Sequence, residues 1–377
     1  MSELNNLIRR FCLSGVKYVP LRDAAEMKRG TMITQKDIAT GNIPVVAGGQ
    51  KPAYYCNTAN REGDIITVAG SGAYAGYISY WPCPIFVSDA FSIKAKENSL
   101  SKYLYYAMQS LQERVYATKK GGGVPHVHIS SVENLKIPLP PLPVQQEIVR
   151  ILDSFTELTA ELTAELTARK KQYAYYRDEL LTFGDEVPRI SLGEVGPVCM
   201  CKRILKSQTN TIGGVPFYKI GTFGKEANAY ISEEIYEEYR NKYNFPNKGD
   251  VLISAAGTIG RTVVYDGKPA YFQDSNIVWI ANDESKILNK FLVYCYAMKP
   301  WQVSAGGTIA RLYNDNIQKA VIPAPTLKRQ EYIVSTLERF DALCNDLTSG
   351  LPAEIAARQK QYEYYRDKLL TFKELPQ

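Results

Sequence analysis

Gln145 to Phe183 reads QQEIVRILDSFTELTAELTAELTARKKQYAYYRDELLTF, and the rest of the chain is organised around it. Its apolar residues fall at Leu152, Phe155, Leu158, Leu162, Leu166, Tyr173, Tyr176, Leu180 and Phe183, the spacing of one helical face that packs against a partner helix. Inside it Thr-Ala-Glu-Leu stands at 159–162 and again at 163–166, a four-residue stutter that a helix absorbs with little unwinding. The end of the stretch returns later in the chain. Arg169–Phe183 and Arg358–Phe372 agree at twelve of fifteen positions, at an offset of 189, which marks a tandem duplication.

The chain divides into four segments around this stretch. Residues 1–143 and 185–326 are globular units, and 144–184 and 327–377 are the two helical modules. The first unit has short β-like runs at Ile43–Val46, Asp64–Val68, Tyr77–Tyr80, Ile85–Val87 and Phe91–Ile93, set between Gly, Asn and Pro turns. One helix is expected from Lys102 to about Ala117. A glycine loop at 121–123, another short strand and the proline run Pro138–Pro143 follow. That run reads as a stiff extended linker whose last proline suits the first turn of a helix. The second unit repeats the plan with diverged residues: Gly63-Asp64 matches Gly249-Asp250, Pro84–Asp89 matches Pro269–Asp274, and Gly121-Gly122 matches Gly306-Gly307. The second long helix carries Leu337, Phe340, Leu343, Leu347, Leu351, Ile355, Tyr362, Tyr365, Leu369 and Phe372 on its face, with a break expected at Gly350 and Pro352.

The fold class is therefore α+β: two mixed globular units, and two helices of about 60 Å that bury their single stripes by pairing as an antiparallel coiled coil. Such pairing would place the globular units at opposite ends of a dumbbell with an approximate twofold axis; a homodimer built from the same helices satisfies the stripe equally well.

The 377 residues carry 45% apolar residues and a net charge of +6, enough for two cored units. The charge is unevenly placed. Residues 1–143 carry 16 Lys and Arg against 10 Asp and Glu, residues 185–326 carry 16 against 14, and residues 144–184 carry 5 against 7. Basic globular surface favours a polyanion partner. No run of about eighteen apolar residues is present to span a membrane, and MSELNNLIRRF reads as a short amphipathic helix without a signal-peptide core. Seven scattered cysteines lack paired zinc spacing, Cys199-Met-Cys201 being the nearest approach, and suit a reducing cytoplasm. Walker A, His-Glu-x-x-His, Gly-x-Ser-x-Gly and Asn/Asp-Pro-Pro-aromatic motifs are all missing, so a binding protein is expected, with no catalytic, cofactor or metal residues.

The candidate nucleic-acid contacts come from comparing the two copies. His126 and His128 follow the first glycine loop at the positions that Arg311 and Tyr313 take in the second, each pair alternating on one face of a short strand. Arg forks onto guanine and His or Tyr donates or stacks, so these types suit base edges and phosphates. Lys119 and Lys120 flank the first loop. Lys28-Arg29 against Lys202-Arg203, and Tyr77 and Arg261 in glycine-rich turns, are further candidates. The alternative is a tight turn with side chains facing solvent. Asp89 and Asp274 share a register and read as hydrogen-bond anchors rather than catalysts.

With the form RxKQYxYYRDxLLTF twice, and a Thr-Ala-Glu-Leu repeat in the first helix, the whole chain resembles the specificity subunit of type I restriction–modification systems, in the branch whose central helix carries that tetrapeptide. The resemblance implies a non-catalytic, cytoplasmic subunit that reads a bipartite double-stranded DNA site, one half per globular unit. It implies recruitment of two methyltransferase subunits and of restriction/translocase subunits, with S-adenosylmethionine, ATP and Mg carried only by those partners. It also places partner docking at the Gln-Tyr-x-Tyr-Tyr-Arg-Asp segments. Tyr173, Tyr176, Tyr362 and Tyr365 keep core spacing, so Tyr175, Arg177, Tyr364 and Arg366 are the partner-contact candidates. Two rival readings stay open: a self-contained DNA-modifying enzyme, and a coiled-coil scaffold for proteins.

Overall fold

The computed structural model describes residues 2–33, 40–121, 123–303 and 311–375. The chain forms two compact units that do not follow chain order: Met1–Glu165 joins Ala353–Gln377, and Leu166–Pro352 forms the other. Each unit thus takes one globular part and one half of each helical module. The helix Leu142–Leu181, forty residues without interruption, contributes to both.

In the first unit, strands Ala25–Arg29, Ala90–Ala95, Ile65–Ala69 and Ile78–Trp81 form an antiparallel sheet in that spatial order. A smaller sheet runs Tyr54–Cys56, Ile43–Val46, Phe86–Val87, the last pair parallel. Tyr18–Pro20 pairs with Lys136–Pro138. The second unit repeats this order. Val198–Cys199, Ile277–Ile280, Val251–Ser254 and Thr262–Val264 make the large sheet, Tyr230–Ile231, Val215–Tyr218 and Tyr271–Phe272 the small one, and Arg189–Ser191 pairs with Val321–Pro323. The duplication read from the helices therefore holds for the diverged globular parts. The second unit adds a helix, Glu233–Lys242, between two of its strands; the described residues at the matching place in the first have none.

The helical stripes are buried where they meet a globular part. Val144, Ile148 and Leu152 are fully buried in the first unit's core with Ile66, Ile93, Tyr103 and Leu104, and Phe155 packs against it. Each fully buried aliphatic side chain contributes about 1.5–3 kcal/mol. Phe155 stacks on Tyr365, centroids 5.4 Å apart, so the front of the long helix pairs with the helix Leu351–Leu369. In the second unit the rear of the long helix pairs with Leu327–Asn345: Tyr173 and Tyr176 lie 6.2 and 5.7 Å from Phe340. Leu180 lines a cleft with Arg329 and Tyr332 while Cys344 sits near Arg169 and Lys170, so the two run antiparallel there. Pairing is thus within one chain in both units. The first unit also joins the chain ends, the Val16 N–H donating to the Lys373 carbonyl at 2.8 Å and the Tyr18 hydroxyl to the Phe372 carbonyl at 3.2 Å.

Four local expectations change. The helix expected over Lys102–Ala117 is two, Ser101–Gln109 and Gln112–Ala117. Ser110 turns its hydroxyl back on the Ala107 carbonyl at the junction, a bond that competes with the helical ladder. The run Pro138–Pro143 is not a free linker: Pro138 ends a paired strand, and Leu142-Pro143 already lie in the long helix. His126 and His128 do not lie on a strand. His126 makes isolated bridges to Ser71 and Lys120, and His128 precedes a four-residue helix, Ile129–Val132. Leu347 leaves the stripe and is 79% exposed, because it sits in the break between the two C-terminal helices.

That break has a specific cause. A Cβ at Gly350 would meet the Ala342 carbonyl oxygen at 2.5 Å, so only glycine fits the returning chain. Asp346 closes the turn, accepting from the Thr348 N–H at 2.7 Å and from the Thr348 and Ser349 hydroxyls, which hold its carboxyl down at about 2. Pro352 then occupies the first turn of the next helix, where its missing N–H costs nothing. Among the described residues no helix is long and apolar enough to cross a membrane.

Candidate nucleic-acid interface

Each unit places a groove at matching positions of its framework. In the first, Arg29 ends the edge strand Ala25–Arg29 and lines a groove of about 480 Å³ with Met32, Asp89, His126 and His128. Gly30 allows the chain to close there: its N–H donates to the Ala90 carbonyl at 2.8 Å, and a Cβ would lie 2.0 Å from the Ser88 carbonyl oxygen. Arg61 supports the strand end from behind, donating to the Arg29 carbonyl at 2.7 Å and to the Ser92 hydroxyl at 2.6 Å. The Ser71 hydroxyl donates to Asp89 at the groove floor. His126 and His128 are exposed and their rings lie parallel, 2° between planes and 6.1 Å between centroids, so their alternation does put both on one side.

In the second unit Arg203, Lys206, Lys219, Gln273, Asp274 and Arg311 line a groove of about 320 Å³. Arg203 is paired with Asp274 at 2.9 Å, and the Arg311 guanidinium donates to the Ser275 carbonyl at 2.8 Å. A guanidinium has five N–H donors, so both arginines keep donors for a ligand. Tyr313 is 56% exposed at the start of the short helix Asn314–Gln318. The glycine pair Gly306-Gly307 and Gly122 lie outside the described residues.

The remaining candidates sit elsewhere. Lys28 points to the sheet face opposite Arg29 and pairs with Glu26 at 3.1 Å, as neighbours along a strand must alternate. Lys119 covers the Tyr116 ring at 4.1 Å, and Lys120 is exposed beside His126, its backbone paired with that residue. Tyr77 is half-buried near Tyr105 and Tyr116. Lys202 lies over the Tyr243 ring at 5.0 Å. Arg261 donates to the distant Phe223 carbonyl at 2.8 Å and to the Thr258 hydroxyl of its own turn at 3.4 Å. Asp89 and Asp274 are hydrogen-bond anchors, and they lie inside the grooves; Lys206, Lys219 and Gln273 also line the second groove, and nothing in their local sequence pattern marks them.

Cys199 and Cys201 are both held protonated by burial, Cys201 pushed up to about 12. Among the described residues no three His, Cys, Asp or Glu side chains gather as a metal would need.

On the helices Tyr175 and Tyr364 are 64% and 61% exposed, whereas Tyr173, Tyr362 and Tyr365 are half-buried in aromatic contacts. Tyr176 is in between, exposed yet stacked on Phe340. Arg177 and Arg366 each pair with the next residue, Asp178 at 2.7 Å and Asp367 at 2.8 Å.

Comparison with known proteins adds four findings. The family model for the type I restriction modification DNA specificity domain matches residues 14–169 and again 185–357. A Haemophilus influenzae protein, provisionally named a type I restriction enzyme specificity subunit, is 44% identical over 95% of this chain and 96% of its own length. The EcoR124I/EcoR124II specificity subunit of Escherichia coli is 29% identical over 99% of this chain and 98% of its own. Among solved structures, the S subunit of a type I restriction–modification system from M. genitalium shares the fold with a TM-score of 0.60 at 17% identity, covering 94% of this chain and 96% of that one.

Proposed function

This chain belongs to the type I restriction–modification DNA specificity family, and we propose that it reads a two-part double-stranded DNA target, one half-site in each groove, and brings methyltransferase and restriction/translocase subunits to that target. The carrying observation is the pair of grooves at equivalent places of a duplicated framework with different linings: arginine and two histidines in one, two arginines and two lysines in the other. A shared frame with unlike side chains suits two unlike sequences, because base edges are told apart by donor and acceptor pattern. Lys28, Lys119, Lys120 and Lys202 outside the grooves suit phosphates, which position without specifying. The doubled Thr-Ala-Glu-Leu supports a reading of the chain as a member of the branch whose central helix carries this repeat. S-adenosylmethionine, ATP and Mg belong on the partner subunits, two of which methylate, and the complex works on DNA in the cytoplasm.

Co-expression with the cognate methyltransferase subunits tests this reading. Mapping of N6-methyladenine should show one bipartite motif, and the isolated chain with S-adenosylmethionine should transfer no methyl group. Transfer by the isolated chain at a comparable rate would establish a self-contained enzyme. DNA binding that does not weaken as salt rises would favour the protein scaffold instead, since phosphate contacts release counterions.

The exposed tyrosines give a second expected result. Changing Tyr175 and Tyr364 to Ala should weaken assembly with methyltransferase subunits by about tenfold or more, the scale of an aromatic anchor at an interface. Titration of complex formation measures it, with DNA binding by the chain alone as the control that should not move. Unchanged assembly would put the docking surface elsewhere.

A further inference from the structure

Tyrosines aside, two glutamines are more completely buried than any other polar or charged side chain among the described residues. Gln145 and Gln330 are both 0% exposed, 185 positions apart, each near the start of its long helix. Their bonds repeat atom for atom. The Gln145 Oε1 accepts from the Leu100 N–H at 2.9 Å, and its Nε2 donates to the Asn98 carbonyl at 3.0 Å and the Pro140 carbonyl at 2.8 Å. The Gln330 Oε1 accepts from the Leu288 N–H at 2.8 Å, and its Nε2 donates to the Lys286 carbonyl at 2.9 Å and the Pro325 carbonyl at 2.8 Å. Leu100 and Leu288 cap the helices Ser101–Gln109 and Asn289–Ala297 of the globular parts, and Pro140 and Pro325 lie on the chain entering each long helix. One side chain therefore ties three segments together, with both amide hydrogens and the oxygen used.

A second tie repeats beside the first. Lys102 meets Asp153 and Lys290 meets Glu338, each at 2.7 Å, joining the same globular helix to the same long helix. An apolar side chain would fill either glutamine site, but hydrophobic contact is non-directional. A fully satisfied buried polar network instead selects one geometry. The globular parts have diverged between the copies, and this attachment has not.

We propose that Gln145 and Gln330 are positioning residues: they hold each recognition part at one angle on its long helix and so set how strictly the assembled complex measures the distance between half-sites. This rests on the two-half-site reading above. The amide groups act on placement and not on which bases are read, because neither lines a groove.

The test is methylation mapping of the assembled complex carrying Gln330→Met, which has neither donor nor acceptor, and Gln330→Asn, which keeps both kinds of group on a shorter arm. Wild-type complex without a bipartite motif would defeat the two-half-site reading itself. Given that motif, Gln330→Met should raise methylation at spacers one base pair longer or shorter by at least about tenfold, the discrimination that one unmade buried hydrogen bond removes. Both half-site sequences should stay unchanged, and Gln330→Asn should do the same to a smaller degree. Methylation confined to the wild-type spacer, at full or reduced level, overturns the proposal, because a merely structural role lowers the amount without adding spacers. A chain that folds in neither variant overturns it as well, since the attachment would then be needed for folding itself.

Discussion

A third Thr-Ala-Glu-Leu inserted after Leu166 should lengthen the DNA spacer by one base pair and leave both half-sites as they are. The insertion falls inside the uninterrupted helix Leu142–Leu181, at the boundary where one compact unit gives way to the other. Leu158, Leu162 and Leu166 are only half-buried there, so no core is displaced. The threonine hydroxyls bond back within the helix, Thr159 to the Phe155 carbonyl at 2.9 Å and Thr163 to that of Thr159 at 2.7 Å, and an added repeat continues the same pattern. Four residues add roughly 6 Å and about 400° of winding, a net of about 40°. One base pair advances DNA by about 3.4 Å and turns it by about 34–36°. The angle matches one base pair and the length overshoots; a helix pair tilted to the DNA axis would project only part of that length onto it. Deleting one repeat should shorten the spacer by one. Methylation-site sequencing reads both variants, and an unchanged spacer would mean that this helix does not measure the distance.

Replacing Arg311 and Tyr313 together with Ala should relax or abolish one half-site and spare the other. Arg311 lines the second groove with one donor committed to the Ser275 carbonyl, and the Tyr313 ring is largely in solvent. Neither is part of a core, so the fold loses about 1 kcal/mol with that single hydrogen bond. Recognition loses about 1–3 kcal/mol for each base contact removed, together up to about ten-thousandfold in affinity. A methylome of the double variant should keep the bases read by the first unit and degenerate at the others. Failure of both half-sites in a folded protein would contradict independent reading.

Much of this molecule is legible along the chain because its signals are local. Helical periodicity of 3.6 marks the long helices from their own leucines and tyrosines, and the repeat of Arg169–Phe183 at Arg358–Phe372 shows the duplication without reference to space. Gly350 and Pro352 announce the break between the C-terminal helices, although the carbonyl crowding that demands a glycine is visible only in the fold. The exposed Tyr175 and Tyr364 follow directly from their positions off the stripe.

The site is another matter. Arg29, Asp89 and His126 come from a strand end, a sheet junction and a loop, and they share a groove through the pairing of Lys28 with Ser92 and of Arg29 with Phe91, and through the bridge from Ser71 to His126. Lys28 and Arg29 look alike in sequence, yet strand alternation sends them to opposite faces. Arg261 reads as a phosphate candidate in a glycine-rich turn, and the fold commits one of its donors to the Phe223 carbonyl. Gln145 and Gln330 stand on the apolar stripes of their helices, three and seven residues before buried Ile148 and Leu152 and before Ile333 and Leu337, but the backbone groups they tie together are visible only in the fold. The duplication, the helical modules and the basic character of the globular parts are written along the chain, because each shows in residue identities and short-range spacing alone. Tertiary structure alone decided which cations stay available and which amides become buried ties, because those outcomes depend on contacts between residues tens of positions apart, whose partners no local periodicity records.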